Sequence, residues 1–332
     1  MNAEAHAVLE RVAAGGLLAS GRPVLVLLSG GRDSVCLLDV AVRIVGAGAR
    51  TVSALHVNYG LRAAADEDER HCAALCDRLG VPLRVVRAGP VGTGGSGSRN
   101  VQAWARELRY AEAMRAESDV AAGHTATDQV ETILYRLASS PSRRALLGMR
   151  AREGRLVRPL LALTREQTAA YCRERGLAWR EDESNQSLAY ARARVRSGVV
   201  PALREVHPAA ERNVLALAEL LRGEGEVLDE LVEGVLGGGS GVALARLREL
   251  PRALRRLVVQ RLADEAAGEP AAGVGRRADD VAAMGDAASL DLPHGVRATA
   301  RDGVVTFGRS PQLRRAGDAD NKRAKPASKM NP

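Results

Sequence analysis

Six consecutive residues, Ser29-Gly30-Gly31-Arg32-Asp33-Ser34, set two hydroxyls, two glycines and a carboxylate in one short stretch. Glycines let a backbone come close to an anion, and hydroxyls with free N–H groups at a helix start can hold phosphate oxygens. Asp33 would repel a phosphate directly, so its natural partner is a Mg²⁺ ion that bridges phosphates. A Walker A loop is excluded, because Gly-x-x-x-x-Gly-Lys-Ser/Thr occurs nowhere in the chain. The blander alternative is a glycine-rich turn between a strand and a helix.

A second constellation is Gly123-His124-Thr125-Ala126-Thr127-Asp128-Gln129-Val130-Glu131. Asp128 and Glu131 are three apart, so on a helix they share one face. Alone, the pair reads equally well as acids favouring a helix N-terminus. Beside a phosphate loop it reads as acid-base or positioning chemistry, with His124 as a further proton-handling group. Arg106 and Arg109 have the same spacing and can face one ligand. Gly92 to Gly97 matches the Gly-x-Gly-x-x-Gly fingerprint of dinucleotide folds, but Ser98 and Arg99 separate it from the helix that Asn100 caps. A flexible surface loop is expected there.

The elements that must position these groups alternate. Val24–Leu28 is an uninterrupted apolar run, as in a buried parallel strand. Further strands are expected at Thr51–Val57, Leu83–Val86, Asp119–Ala122 and Leu156–Leu160, with helices between them and a capping box at Thr164-x-x-Gln167. The pattern predicts an α/β fold: a doubly wound, mostly parallel, five-stranded sheet with its ligand at the carboxyl ends of the strands. After Pro201 the strand signal fades, and residues 208–285 read as helical with a glycine break at 237–241. A hairpin around Asp302-Gly303 is expected over Val296–Phe307. Three regions follow: 1–205, a smaller and mainly helical domain over 206–310, and a basic, disordered tail over 311–332.

Composition narrows the class. The 332 residues are 46% hydrophobic and 27% charged, with a formal charge of +8. Residues 143–196 hold 13 Arg against 6 acidic residues, a basic band suited to a polyanion. All lysines (Lys322, Lys325, Lys329) lie in the tail, so no Lys in the folded part can form a Schiff base. The four cysteines are too sparse for a disulfide framework, and Cys72 and Cys76 read as buried thiols on an amphipathic helix. No run of apolar residues reaches a membrane span and no signal-peptide layout opens the chain, so a cytoplasmic location is expected.

These motifs, with Leu55-His56-Val57-Asn58-Tyr59-Gly60-Leu61-Arg62, Arg158-Pro159-Leu160-Leu161 and Arg192-Ala-Arg194-Val-Arg196, resemble in order those of the tRNA(Ile)-lysidine synthases, a family of PP-loop ATP pyrophosphatases. The resemblance runs from about Pro23 to Leu203. It implies an adenine-nucleotide α-hydrolase-like fold, ATP and Mg²⁺ as cofactors, and L-lysine and the CAU-anticodon tRNA(Ile) as partners. A homodimer is compatible with it. By the same resemblance Ser29, Gly30, Gly31, Arg32, Asp33, Ser34, His56 and Asn58 hold the nucleotide, and Asp33 holds the metal. Asp33, His124, Asp128 and Glu131 act in catalysis, while Arg62, Arg106, Arg109, Arg192, Arg194 and Arg196 contact the RNA. The wobble cytidine would be adenylated on O2, then attacked at C2 by the lysine amine. Where the family often has His, Asp, His and Glu, this chain has Thr125, Thr127, Tyr59 and Gln102. Rival readings are another PP-loop tRNA-modifying enzyme, such as a 2-thiolase, an amide-forming synthetase, and a non-catalytic tRNA-binding module.

Overall fold

The structure is a computed structural model that describes residues 3–19, 21–46, 51–61, 64–88, 101–140, 143–181 and 191–311. The chain folds as two packing units, with the boundary between Arg222 and Gly223. The sequence suggested a division near residue 205; the boundary falls further on, inside a long helix.

The first unit begins with α1 (Ala3–Ala14), β1 (Val24–Leu27), α2 (Arg32–Val45), β2 (Val52–Asn58), α3 (Ala65–Leu79) and β3 (Leu83–Arg87). It continues with α4 (Val101–Met114), β4 (Asp119–Ala121), α5 (Ala126–Ser139), α6 (Arg143–Leu146), β5 (Arg152–Glu153), β6 (Leu156–Val157) and α7 (Arg165–Glu174). Then α8 (Ala191–Arg194), a π-helical turn over Val195–Val199 and α9 (Val200–Val206) run without a break into one another. The sheet order is β3-β2-β1-β4-β6-β5. Five strands are parallel, as the sequence implied, and the sixth, β5, is a two-residue antiparallel edge. The expected strand at Leu156–Leu160 stops at Val157. Pro159 has no N–H to continue a ladder.

Every residue of β1 is buried, which is why its apolar run does not alternate. One face of the sheet packs Val24 and Val26 against α2 (Leu37, Leu38) and α7 (Tyr171, Cys172), and the other packs Leu25 and Leu27 with Ala113 of α4. Truncating a side chain such as Leu38, wholly buried, costs about 2–5 kcal/mol. Chain order reverses at β1, with β2 on one side and β4 on the other. The carboxyl ends of β1 and β4 therefore lie side by side at a topological switch point, where α/β sheets hold ligands.

Helix α10 (Ala210–Leu236) carries the chain across the division. The second unit adds β7 (Gly241–Ala243), α11 (Leu244–Glu249), α12 (Arg252–Ala267), α13 (Ala278–Ala282), β8 (Ser289–Leu292), β9 (Val296–Arg301) and β10 (Val304–Arg309). The expected terminal hairpin is β9 and β10, with Asp302 and Gly303 both at positive φ in its turn. It belongs to an antiparallel sheet of order β7-β10-β9-β8, so this unit is less purely helical than the apolar spacing suggested. Val259 and Leu262 of α12 and Val305 of β10 share its core. The surface loop expected at Gly92–Gly97 and the tail residues 312–332 lie outside the described residues.

Candidate active site

Strand β1 ends into the Ser29–Ser34 turn, which the protein braces from within. The Ser29 N–H donates to Ser34 Oγ at 3.2 Å, the two hydroxyl oxygens are 3.1 Å apart, and Ser34 Oγ donates to the Gly31 carbonyl at 2.8 Å. Gly30 sits at φ +81°, where a side chain would be strained. Gly31 caps α2 with no side-chain hydrogen bond, so the first N–H groups of that helix face the turn. The turn opens onto a cavity of about 820 Å³ lined by Ser29, Gly31, Arg32, Asp33 and Ser34, among others.

The loop after β4 forms the opposing wall. Gly123 passes so close that a Cβ there would lie 3.0 Å from the Asp33 carbonyl carbon. Thr125 then caps α5 through a reciprocal box: its N–H and hydroxyl both donate to Asp128 Oδ2 at 2.8 Å. The second oxygen, Asp128 Oδ1, accepts Arg165 Nη2 at 2.9 Å. Arg165 Nη1 lies 3.4 Å from Glu131 Oε1, and Arg165 Nε 3.7 Å from Asp33 Oδ2. Asp33 Oδ1 also accepts the Thr168 hydroxyl at 2.5 Å. One guanidinium thus touches all three carboxylates singled out in the sequence.

Asp33, His124 and Asp128 line the cavity; Glu131 does not. Its side chain is buried and held by both arms of Arg196, at 2.7 and 2.9 Å, a fork that suits a carboxylate. Glu131 therefore positions Arg196, which lines the cavity from the π-helical turn. His56 and Asn58 are also buried away from it. His56 Nδ1 lies 2.9 Å from the Leu28 carbonyl, and Asn58 Nδ2 donates to Asp66 and Glu69. Both brace the end of β2 behind the turn rather than reaching into the cavity. Arg109 lines the cavity with Tyr110, whose ring carries the guanidiniums of Arg106 and Arg109 at 4.7 and 5.6 Å. Arg192 stacks over Tyr135 at 5.9 Å, and Arg194 lies on the same helix, α8. Arg62 lies outside the described residues.

The basic band spends much of its charge inside the unit. Arg152 bonds Asp119, Arg158 bonds Glu153, Arg175 bonds Asp39, and Arg180 bonds Asp68 and Glu67. A charge count along the chain is blind to such partners, most of which, Glu153 apart, come from strands and helices far away in sequence. Arg165 and the cavity-lining Trp179, Arg180 and Glu181 went unmarked in the sequence. The only local signal for Arg165 is its place just after the Thr164 cap. The Arg180 N–H bonds the Gly30 carbonyl at 3.0 Å, which fastens this segment to the turn.

His124 is forced toward its neutral form: burial, then the cations of Arg158, Arg106 and Arg109, push its pKa down to about 4, against the pull of Asp128. Its Nδ1 is buried with no hydrogen-bond partner. For a metal, the described residues offer no cluster of three or more His, Cys, Asp or Glu side chains. A single carboxylate facing a phosphate-sized turn is nevertheless what Mg²⁺ needs when phosphates and waters complete its shell. Asp33 meets that description.

The profile of the PP-loop domain family matches residues 2–203. The tRNA(Ile)-lysidine synthase of Symbiobacterium thermophilum is 33% identical over 335 aligned positions, covering 92% of this chain and 69% of that one. The chain belongs to the tRNA(Ile)-lysidine synthase family. The lysidine synthase of Thermus thermophilus is 38% identical over 265 positions, covering 77% of this chain and 51% of its own, so the chain spans about half the length of that relative. Among solved structures, the U34-tRNA thiolase NcsA from Methanococcus maripaludis matches with a TM-score of 0.54 and 16% identity, over 65% of this chain and 78% of that one. That likeness establishes the shared fold alone. Three departures from the lysidine synthase motifs have work to do here. Thr125 caps α5, Thr127 Oγ1 accepts the Arg165 N–H at 3.2 Å, and the Tyr59 hydroxyl donates to the Ala105 carbonyl at 2.9 Å.

Proposed function

We propose that the chain is an ATP-dependent ligase that joins L-lysine to C2 of the wobble cytidine of a CAU-anticodon tRNA(Ile). ATP lies with its phosphates on the Ser29–Ser34 turn. The cytidine O2 attacks the α-phosphate, pyrophosphate leaves, and the lysine amine then attacks C2, expelling AMP and losing a proton. Asp33 would hold a magnesium ion with phosphate oxygens, and that ion would offset the charge that builds on them. The cations around the cavity, Arg109, Arg165 and Arg196, stabilise the same charge. Asp128 orients the ammonium, and His124, kept neutral by its burial, adds no competing positive charge beside it.

The observation that carries this reading is that the phosphate turn and the His124–Asp128 segment share one cavity, with the backbone of Gly123 against Asp33. None of the four cysteines lines that cavity, which favours an amine over a sulfur transfer. An extruded anticodon base would enter it, with arginines outside holding the RNA backbone. The test is incubation with ATP, labelled lysine and the CAU-anticodon tRNA(Ile). Label should enter the RNA in step with pyrophosphate release, and Asp33→Ala should abolish both. Pyrophosphate released on a different RNA, with no label incorporated, would assign the chain to another adenylation.

A further inference from the structure

Arg165 and Arg196 both serve the same acidic cluster, but in different ways. Arg196 grips Glu131 with two short parallel bonds. Arg165 makes one contact to each of three carboxylates, at 2.9, 3.4 and 3.7 Å. Its backbone is fixed, since its N–H bonds Thr127 Oγ1 and its residue opens α7 behind the Thr164 cap. Its side chain lines the cavity and is 22% exposed. Arg196 is therefore fixed by a bidentate pair, whereas Arg165 spreads single contacts over three carboxylates from a fixed stem.

The Arg165 guanidinium occupies part of the place an amine would use. Asp128 Oδ2 is taken by the N–H and hydroxyl of Thr125, and Oδ1 by Arg165. Both oxygens of Glu131 are taken by Arg196. While Arg165 stays, its cation takes one of the two acceptor sites of Asp128 Oδ1 and pairs the charge that an incoming ammonium would need. The cluster as it stands is balanced, with Asp33, Asp128 and Glu131 facing Arg32, Arg165 and Arg196. A nucleotide triphosphate placed beside Asp33 adds negative charge within reach of the Arg165 side chain. The guanidinium is then drawn to the phosphates, and Asp128 Oδ1 is left open to a cation.

We infer that Arg165 is a latch on the amine subsite: it occupies the Asp128 carboxylate until bound nucleotide pulls it away, so the amine substrate is admitted only after ATP. This rests on the function proposed above. It orders two substrates and makes Arg165 a positioning residue for both.

The test is the affinity of free L-lysine for the whole chain, by calorimetry, with and without a non-hydrolysable ATP analogue and no RNA. Wild type should bind lysine at least tenfold more tightly with the analogue present. In Arg165→Gln, lysine should bind alike in both conditions, at or near the tighter value, while the analogue itself binds more weakly. Arg165→Lys keeps a cation on a similar stem and should restore part of the dependence; it also serves if the Gln variant folds poorly, as judged by circular dichroism. A purely structural Arg165 would weaken both ligands without removing their coupling. Lysine bound equally with and without the analogue by wild type, or coupling intact in Arg165→Gln, would overturn the latch alone. Wild type that binds no lysine under either condition would overturn the proposed function and the latch with it.

Discussion

The backbone of Gly123 runs against that of Asp33: a Cβ on Gly123 would stand 3.0 Å from the Asp33 carbonyl carbon and 3.1 Å from both its oxygen and the Ser34 nitrogen. Backbone on both sides leaves nothing soft to give way. The approach joins the end of β4 to the first turn of α2, and it sets how far His124 lies from the phosphate turn.

Gly123→Ala is therefore expected to push the two loops apart. Overpacking of this kind costs about 1–3 kcal/mol, read by urea denaturation. The larger effect should fall on catalysis, as a drop of at least tenfold in kcat/KM for ATP, since small displacements of reacting groups are costly. A variant with normal turnover would show that the two loops act independently.

Glu131→Gln keeps the shape but removes the charge that faces Arg196, which that carboxylate holds more firmly in its protonated form than usual. Breaking one side of a buried pair costs about 3–5 kcal/mol when the other charge cannot reach water; Arg196 is 36% exposed, so a loss of roughly half that is expected here. Pyrophosphate release should fall with it. Restored activity in the double variant Glu131→Gln, Arg196→Gln would place Glu131 outside the positioning role.

The pH dependence of His124 follows from its depressed pKa, about 4. The unfolded chain takes up this proton near pH 6.5 and the folded one does not until well below it. Stability attributable to this residue is complete above about pH 6.5 and falls as pH drops from there toward 4. Proton-detected titration of the imidazole should show it neutral at pH 6. Binding of a nucleotide nearby adds negative charge and should move the midpoint upward.

Burial raises the thiols of Cys72 and Cys76 to about 12. Both, like Cys36 and Cys172, are buried. A disulfide reagent at pH 8 should label none of the four in the native chain and all four in denaturant, because the thiolate is the reacting form. Rapid native labelling would show that α2, α3 and α7 open readily.

Much of this was legible before any coordinates. Local rules identify the buried run of β1, the cap at Thr164, the hairpin turn at Asp302-Gly303 and the phosphate turn between β1 and α2, since each depends on neighbours a few residues away. The same holds for the choice of Ser29, Asp33, His124 and Asp128 as chemistry-bearing residues. Which of the candidates meet depended on packing between distant elements. Glu131 turned inward because Arg196 reached it from the π-helical turn, and His56 and Asn58 turned to the Leu28 carbonyl and to α3. Arg165 came to three carboxylates from positions 33, 128 and 131 because α7 packs against α2 at the edge where β1 and β4 end. A charge in a sequence has no partner until the fold brings one within a few ångströms, and electrostatic energy depends on that distance rather than on spacing along the chain.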